Sequence, residues 1–322
     1  MSPGRIWRRR GWSSRASTPT WTSYGARGMG EALVLLGAVG TLALCAAVFD
    51  AVLAVPGGGA GEPLRRVARL LLQQRRRTRL ADTLLVRTGV CGLLAVAVLA
   101  GAVLPLGERP VAEMAVGVVW FNAMEVGAWG ALWLVGWGVN SVYPLVGGYR
   151  FVAQGLAYEL PHMFALITVA LGAGSLRFAD VVAAQRGLWF AVWMPVAFAV
   201  YLVSAVAMAF WGPMDGPVSD DICGGVPAEL SGPDRLVFQA GRYALLVVVA
   251  AAAVPLFLGG GAGPLLPPWL WTALKTVAVL ALLVWSGRVL PTVRMDLFTR
   301  LSWLVLIPAT LLQLLVVSVV VL

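Results

Sequence analysis

Glu125 stands in the middle of the run VVWFNAMEVGAWGALW, and Glu159 in the middle of FVAQGLAYELPHMF. Acids inside apolar runs are expensive and rare, and they mark ion or proton pathways. The bland reading of each is a carboxylate that pairs across helices; the sharper one is a relay, a carboxyl group at mid-depth that takes up and releases a proton. His162 follows Glu159 by three residues and shares its helix face. Pro161 between them loosens the local backbone, because it brings no N–H to the helix ladder. A hydrogen-bonded helix residue is the plainer reading of His162, and a relay the sharper one. Arg242, near the start of its apolar run, reads as a paired or snorkelling cation. Lys275 lies about seven residues inside another run. Lys275 and Arg150 are the cations expected beside Glu159, if any counter-ion approaches it.

A second concentration of acid lies in GPMDGPVSDDICGGVPAELSGPDR, which carries Asp215, Asp220, Asp221, Glu229 and Asp234. The DxDxDG spacing of a calcium loop is absent. A solvated acidic loop is the bland reading, and a docking or proton-uptake surface the sharper one. The remaining inventory is exclusionary. The single histidine cannot supply two ligands to each of several haems. Three scattered cysteines, Cys45, Cys91 and Cys223, form no CxxC pair, which argues against an iron–sulfur cluster. Cys45 and Cys91 read as small buried hydrophobes. There is no phosphate-binding loop and no GxSxG turn. No metal site is expected, and any redox cofactor belongs to partners.

The elements that hold these residues must be helices in a membrane. Sixty per cent of the 322 residues are apolar and only 12% are charged, with a mean hydropathy of +0.85. Soluble domains hold about 45–50% and 25% respectively. The apolar runs are continuous, not alternating, so the chain is read as an all-α integral membrane protein. About eight spans fall at 31–53, 84–106, 112–138, 150–172, 187–211, 238–259, 268–287 and 300–321. After the first, a Pro-Gly-rich breaker leads into LRRVARLLLQQRRRTRLAD, where Leu64, Val67, Leu70 and Leu71 recur at helical spacing between arginines. That pattern predicts an amphipathic interfacial helix. Residues 1–28 carry six arginines and no acid. They read as a disordered basic tail or as an over-extended start, with 29–322 a single membrane domain. Loops after spans one, three, five and seven hold most of the loop arginines, against Arg109, Arg177 and Arg186 opposite. The asymmetry puts the arginine-rich loops in the cytoplasm.

GWGVNSVYPLVGGYRFVAQGLAYE (136–159) and the long stretch from Gly263 to Val317 resemble the H subunit of bacterial NADH-quinone oxidoreductase, called subunit 1 in mitochondrial complex I. The resemblance is clear from about Gly136 onward. It implies an eight-helix subunit at the heel of the membrane arm, enclosing a quinone channel with its neighbours and starting a chain of buried carboxylates. By that resemblance Glu159 matches the family's Tyr-Glu acid and Asp215 the acid of its Pro-Phe-Asp-x-Pro loop. Glu229, Ser231 and Gly232 match the Glu-x-Ser-Gly that closes the loop, and Asp220 lies near one of its glutamates. Arg294 and Asp296 match an Arg-x-Asp before the last helix. The family's acidic motif after the first helix is missing here, and Asp50 stands in for its acid. Where the family has Glu-Tyr in the sixth span, this chain has Arg242-Tyr243.

The function expected on this reading is that of a subunit of a proton-translocating quinone oxidoreductase, not catalytic alone. Its proton path is expected to use Glu125, Glu159, Asp215, Asp220, Asp221 and Glu229. Its quinone channel or interface is expected to use Asp50, Arg65, Arg294 and Asp296. Quinone is the substrate of the complex, and iron–sulfur clusters and flavin sit on partner subunits. Partners are other membrane subunits, quinone-side iron–sulfur subunits and lipid, with no nucleic acid, in a bacterial cell membrane. The alternatives are the equivalent subunit of a membrane-bound hydrogenase or formate hydrogenlyase, and a non-catalytic assembly paralogue.

Overall fold

The computed structural model describes residues 21–54, 59–105 and 110–321, and only the backbone of 21–29. The described residues contain seven helices long and apolar enough to cross a membrane, which makes this an all-α integral membrane protein. In chain order they are α1 (Trp21–Ala54), the short α2 (Glu62–Leu72), α3 (Thr83–Gly101), α4 (Gly117–Gly138) and α5 (Val142–Ala173). The short α6 (Phe178–Ala184), α7 (Phe190–Trp193) and α8 (Pro195–Met208) precede α9 (Gly232–Phe257) and α10 (Pro268–Val289). The last span is α11 (Met295–Leu301), a π-helical turn over Ser302–Leu306, and α12 (Ile307–Val321).

Several boundaries differ from expectation: α5 and α9 begin at Val142 and Gly232, ahead of the expected 150 and 238, and two further differences concern α1 and the fifth run. α1 begins at Trp21, so the last residues of the segment read as a tail continue the first span's helix. Residues 1–20 lie outside the described residues, as do Pro56, Gly57 and Gly58 of the breaker and Arg109. The fifth apolar run is not one helix. It breaks at Met194, where Pro195 brings no N–H, into the one-turn α7 and a 14-residue α8. Unbroken apolarity on both sides of Pro195 conceals that break from a hydropathy reading.

α9 is apolar all round from Ala244 to Phe257 and sits at the centre, buried against α1, α3, α8 and α10. α1 and α12 bury little of themselves and present Leu33, Leu36, Leu312 and Leu315 outward. Cys45 and Cys91 are likewise exposed, contrary to the buried reading. In a bilayer the lipid face is as apolar as the core, so an apolar run does not say which way its small residues point. α2 is amphipathic as its spacing implies. Pro63 and Leu70 are buried, while Leu64 and Leu71, two leucines of the expected apolar stripe, are exposed.

α3 and α4 approach closely at Gly89. A Cβ there would stand 2.5 Å from the Ala131 carbonyl oxygen, so the helix backbones touch. Gly89→Val is expected to destabilise the bundle by about 1–3 kcal/mol or more. Thermal unfolding of the detergent-solubilised chain measures this, and an unchanged midpoint would contradict the close contact.

α5 carries Pro161 in its interior. The proline leaves the Ala157 carbonyl without its helical partner, and the buried Ser302 Oγ of the last span donates to it. The helix ends at Gly174 in the left-handed region (φ 64°), its N–H turned back to Ala170 and Leu171.

Candidate functional site

One cluster lies between α4 and α5. Glu125 is 2% exposed and His162 is fully buried, with Nε2 of the ring 2.9 Å from Oε1 of the carboxylate. The separation is that of a paired acid and base, yet the two are not aligned as a hydrogen bond. The His162 ring packs on Tyr201 of α8 at 5.3 Å between centroids, and the Tyr201 hydroxyl donates to the Val249 carbonyl at 2.7 Å. Glu159 is half-buried and accepts from Asn122 Nδ2 of α4 at 3.0 Å. Tyr158 beside it is buried, its hydroxyl accepting from Trp129 Nε1 at 2.9 Å. Thus α4 and α5 bring Glu125, Glu159 and His162 to one helix interface.

The expected counter-ions of Glu159 are engaged elsewhere. Lys275 Nζ donates to the carbonyls of Leu258 (2.7 Å), Gly260 (2.9 Å) and Ala262 (2.9 Å), with Trp189 and Trp271 over it. Gly259 and Gly260, both at positive φ, turn the chain at the end of α9 so that these carbonyls converge. Arg150 makes a two-pronged pair with Asp221, at 2.9 and 2.8 Å.

The acidic loop is stitched to the rest of the molecule by its own residues. Buried Gln154 of α5 donates to the Ala207 and Met214 carbonyls, at 2.6 and 3.0 Å. Glu229 accepts from Ser141 Oγ at 3.0 Å, Ser231 Oγ accepts from the Arg76 N–H at 2.6 Å, and Asp234 pairs with Arg75 at 3.4 Å. Asp215 is half-buried and Asp220 exposed. The arginine and serine bonds hold Asp221 down, from the ordinary 3.8 to about 2. A depressed carboxylate contributes stability that is complete above pH 3.8 and lost as pH falls toward about 2. Because Asp221 is exposed, the contribution is under about 1 kcal/mol. Local hydrogen exchange in the loop is therefore expected to rise as pH falls through that window, corrected for intrinsic rates. Arg150→Gln should show the raised exchange already at neutral pH.

A third feature is a cavity of about 360 Å³ between α1, α2 and α9. Leu36, Val39, Ala43 and Val98 line its apolar length. Asp50, Glu62, Arg66, Gln239, Tyr243 and Arg288 line its polar end. Asp50 Oδ1 accepts from Arg288 Nε at 2.7 Å and lies 2.6 Å from its Nη2, and the Tyr243 hydroxyl stands 3.4 Å from Oδ2. Arg66 and Gln239 also border a wider polar groove with Arg69, Gln73 and Arg235. Arg65 is exposed, 3.8 Å from Glu62, and does not line the cavity. Arg294 and Asp296 pair with each other on the surface at 3.3 Å, also away from it. Arg242 sits over Phe210 and Trp211 and donates to the Phe210 carbonyl at 2.8 Å.

Of the residues around the polar end, the sequence singles out Asp50. Tyr243 and Arg288 stand out only as a neighbour of Arg242 and as a loop arginine. Arg66 and Gln239 give no separate signal. Among the described residues no three metal-ligating side chains converge.

These features define a polytopic membrane protein with ionisable groups paired in its interior and an apolar cavity closed by a polar end. The family model described as NADH dehydrogenase matches residues 54–318. A Geobacter sulfurreducens protein, named as the second NADH-quinone oxidoreductase H subunit of that organism, is 36% identical over 79% of this chain and 81% of its own length. A Geobacter metallireducens protein, named as the first such H subunit of its organism, is similar to the same extent. The NADH-quinone oxidoreductase H subunit of Geobacillus kaustophilus is 34% identical over 68% of each chain. The chain belongs to this family of H subunits. The family match begins at residue 54, far upstream of Gly136 and just after Asp50.

Proposed function

We propose that this chain is the membrane-arm heel subunit of a complex-I-like, proton-translocating quinone oxidoreductase in a bacterial cell membrane. It is not catalytic alone. Iron–sulfur clusters and flavin belong to partner subunits, which meet this chain at its arginine-rich and acidic loops, and other membrane subunits cover its outer helices.

The observation that carries the reading is the cavity between α1, α2 and α9. A quinone is an apolar tail bearing a ring with two carbonyl oxygens. The cavity offers an apolar length for the tail, and donors for the oxygens at Tyr243, Arg66 and Arg288. Reduction by two electrons from a partner's cluster takes up two protons, which places a charge demand near Asp50. Glu125 and Glu159 supply protonatable groups deeper in the bundle. The loop acids Asp215, Asp220, Asp221 and Glu229 stand between them and the basic surface. In this reading Arg65, Arg294 and Asp296 act at the subunit interface, being too exposed to touch a quinone headgroup.

Tagging this chain and identifying what co-purifies tests the assembly. Quinone-side iron–sulfur and flavin subunits are expected, and a nickel-binding large subunit would favour the hydrogenase alternative. In the same preparation a photoreactive quinone should label α1 or α9 along the cavity wall. Labelling confined to other subunits would overturn the channel assignment.

A further inference from the structure

We propose that His162 and Glu125 form one proton-holding pair, and that His162 carries a proton between α5 and α4. The proposal deepens the proton-path reading above and rests on it.

Lys275, Gln185 and Gln154 tie helices together through bonded donors, while Asn122 Oδ1, Glu159 Oε2, Ser204 Oγ and Arg242 Nε each leave one buried atom unbonded. Lys275 has three donors and finds three carbonyls. Gln185 Nε2 reaches the Val181 and Pro255 carbonyls while its oxygen accepts from Phe190 and Gly259. Gln154 bridges two carbonyls. The His162–Glu125 pair is built otherwise. Both carboxylate oxygens and both ring nitrogens are buried without an aligned protein hydrogen bond among the described residues. A structural acid–base pair left in that state is a poor tie, and an apolar pair of the same volume packs there at lower cost. What the arrangement does provide is an acid and a base 2.9 Å apart on two helices, each with a second polar atom free to exchange.

The surroundings leave the proton with these two groups. α8 contributes Tyr201, whose hydroxyl is engaged with Val249, and no charged residue. α9 is apolar from Ala244 to Phe257, and α12 has no ionisable side chain. On α5 itself the neighbours are Tyr158, engaged with Trp129, and Glu159. Asp180 on α6, and Asp296 and Arg300 on α11, stand exposed at the surface. Asp215, Asp220 and Asp221 lie in the loop that packs on α5 at its Arg150 end.

The step balances without redox change. With the ring neutral and Glu125 ionised, a proton arrives at Nδ1 as the Nε2 proton passes to Oε1. The O–H bond of protonated Glu159 breaks as the Nδ1–H bond forms, and the Nε2–H bond breaks as the O–H bond of Glu125 forms, leaving Glu159 ionised. The ring ends neutral in its other tautomer and Glu125 ends as the acid. Glu159 is the neighbouring acid on the same helix from which the proton comes.

The chain has a single histidine, so ¹⁵N-histidine labelling of the full chain in lipid bilayers isolates His162 in solid-state NMR. Between about pH 5 and 8 the ring nitrogens should report a proton shared with the carboxylate. Glu125→Gln should abolish that signature. A single neutral tautomer that Glu125→Gln leaves unchanged would overturn the proposal. This readout is on the chain itself and decides the pair even where the quinone reading fails. In the assembled complex in vesicles, His162→Gln keeps size and hydrogen bonding but cannot titrate. Protons moved per electron should fall several-fold while quinone reduction persists. Parent-like pumping in that variant also overturns the proposal. If the variant does not assemble, the resonance of the parent chain still decides it.

Discussion

Lys275→Met will cost the protein its fold before it costs any activity. Methionine keeps the length of the stem but offers no donor, so the carbonyls of Leu258, Gly260 and Ala262 lose their shared partner. The buried Gly260 acceptor, stranded away from water, costs about 1–3 kcal/mol, while those of half-buried Leu258 and exposed Ala262 cost less. The contacts with Trp189 and Trp271 lose about 0.5–2 kcal/mol more. Against this stands the relief of no longer burying a cation, which is small because the ammonium is already fully bonded. The sum is several kcal/mol at the one point where the central helix turns into α10. Fluorescence-detected size exclusion of the detergent extract should show a several-fold loss of monodisperse protein, with Lys275→Arg retaining part of it. A Lys275→Met chain as abundant and heat-stable as the parent would show that the carbonyl cradle holds nothing together.

The second large effect is expected at Glu159. Glutamine in its place keeps an oxygen for Asn122 Nδ2, so the α4–α5 contact survives and assembly should be normal. It cannot take up a proton. Positioned acid–base groups contribute about 10²–10⁴-fold, and coupled turnover in membrane vesicles should fall by at least about tenfold. Glu159→Asp should retain part of it. Parent-like turnover and pumping in Glu159→Gln would leave Glu159 a helix-pairing carboxylate and remove it from the path. No counter-ion from Lys275 or Arg150 complicates the test, because both are committed to other partners.

What can be read from the sequence is what local pattern controls. Continuous apolar runs too long for strands define helices, and arginine-laced leucines at helical spacing define α2. Glu125 and Glu159 announce themselves by their chemical strangeness in those runs. The resemblance of the C-terminal third identifies the family. Three things are not legible, each for a physical reason. Asp50 meets Arg288 across 238 residues, and no local periodicity carries a pairing of that span. Lys275 suggests a carboxylate partner because charge invites charge, yet a glycine turn can gather enough carbonyl dipoles to satisfy it instead. The three-residue spacing sets His162 beside Glu159, but the ring faces α4 and meets Glu125. Spacing says which residues share a helix face and not which neighbouring helix that face meets.

The location of Lys275's partners bears on how the chain is made. All three carbonyls precede it by only 13 to 17 residues. The charge is therefore solvated within a single hairpin, and that hairpin can enter the bilayer as one unit during synthesis, with no need of a distant helix. The pair of Asp50 with Arg288 has the opposite character. For most of translation Asp50 waits at the end of the first span without its partner. The polar end of the cavity closes only when the last helices emerge, so a chain cut short before Arg288 would insert its helices and still leave that end unmade.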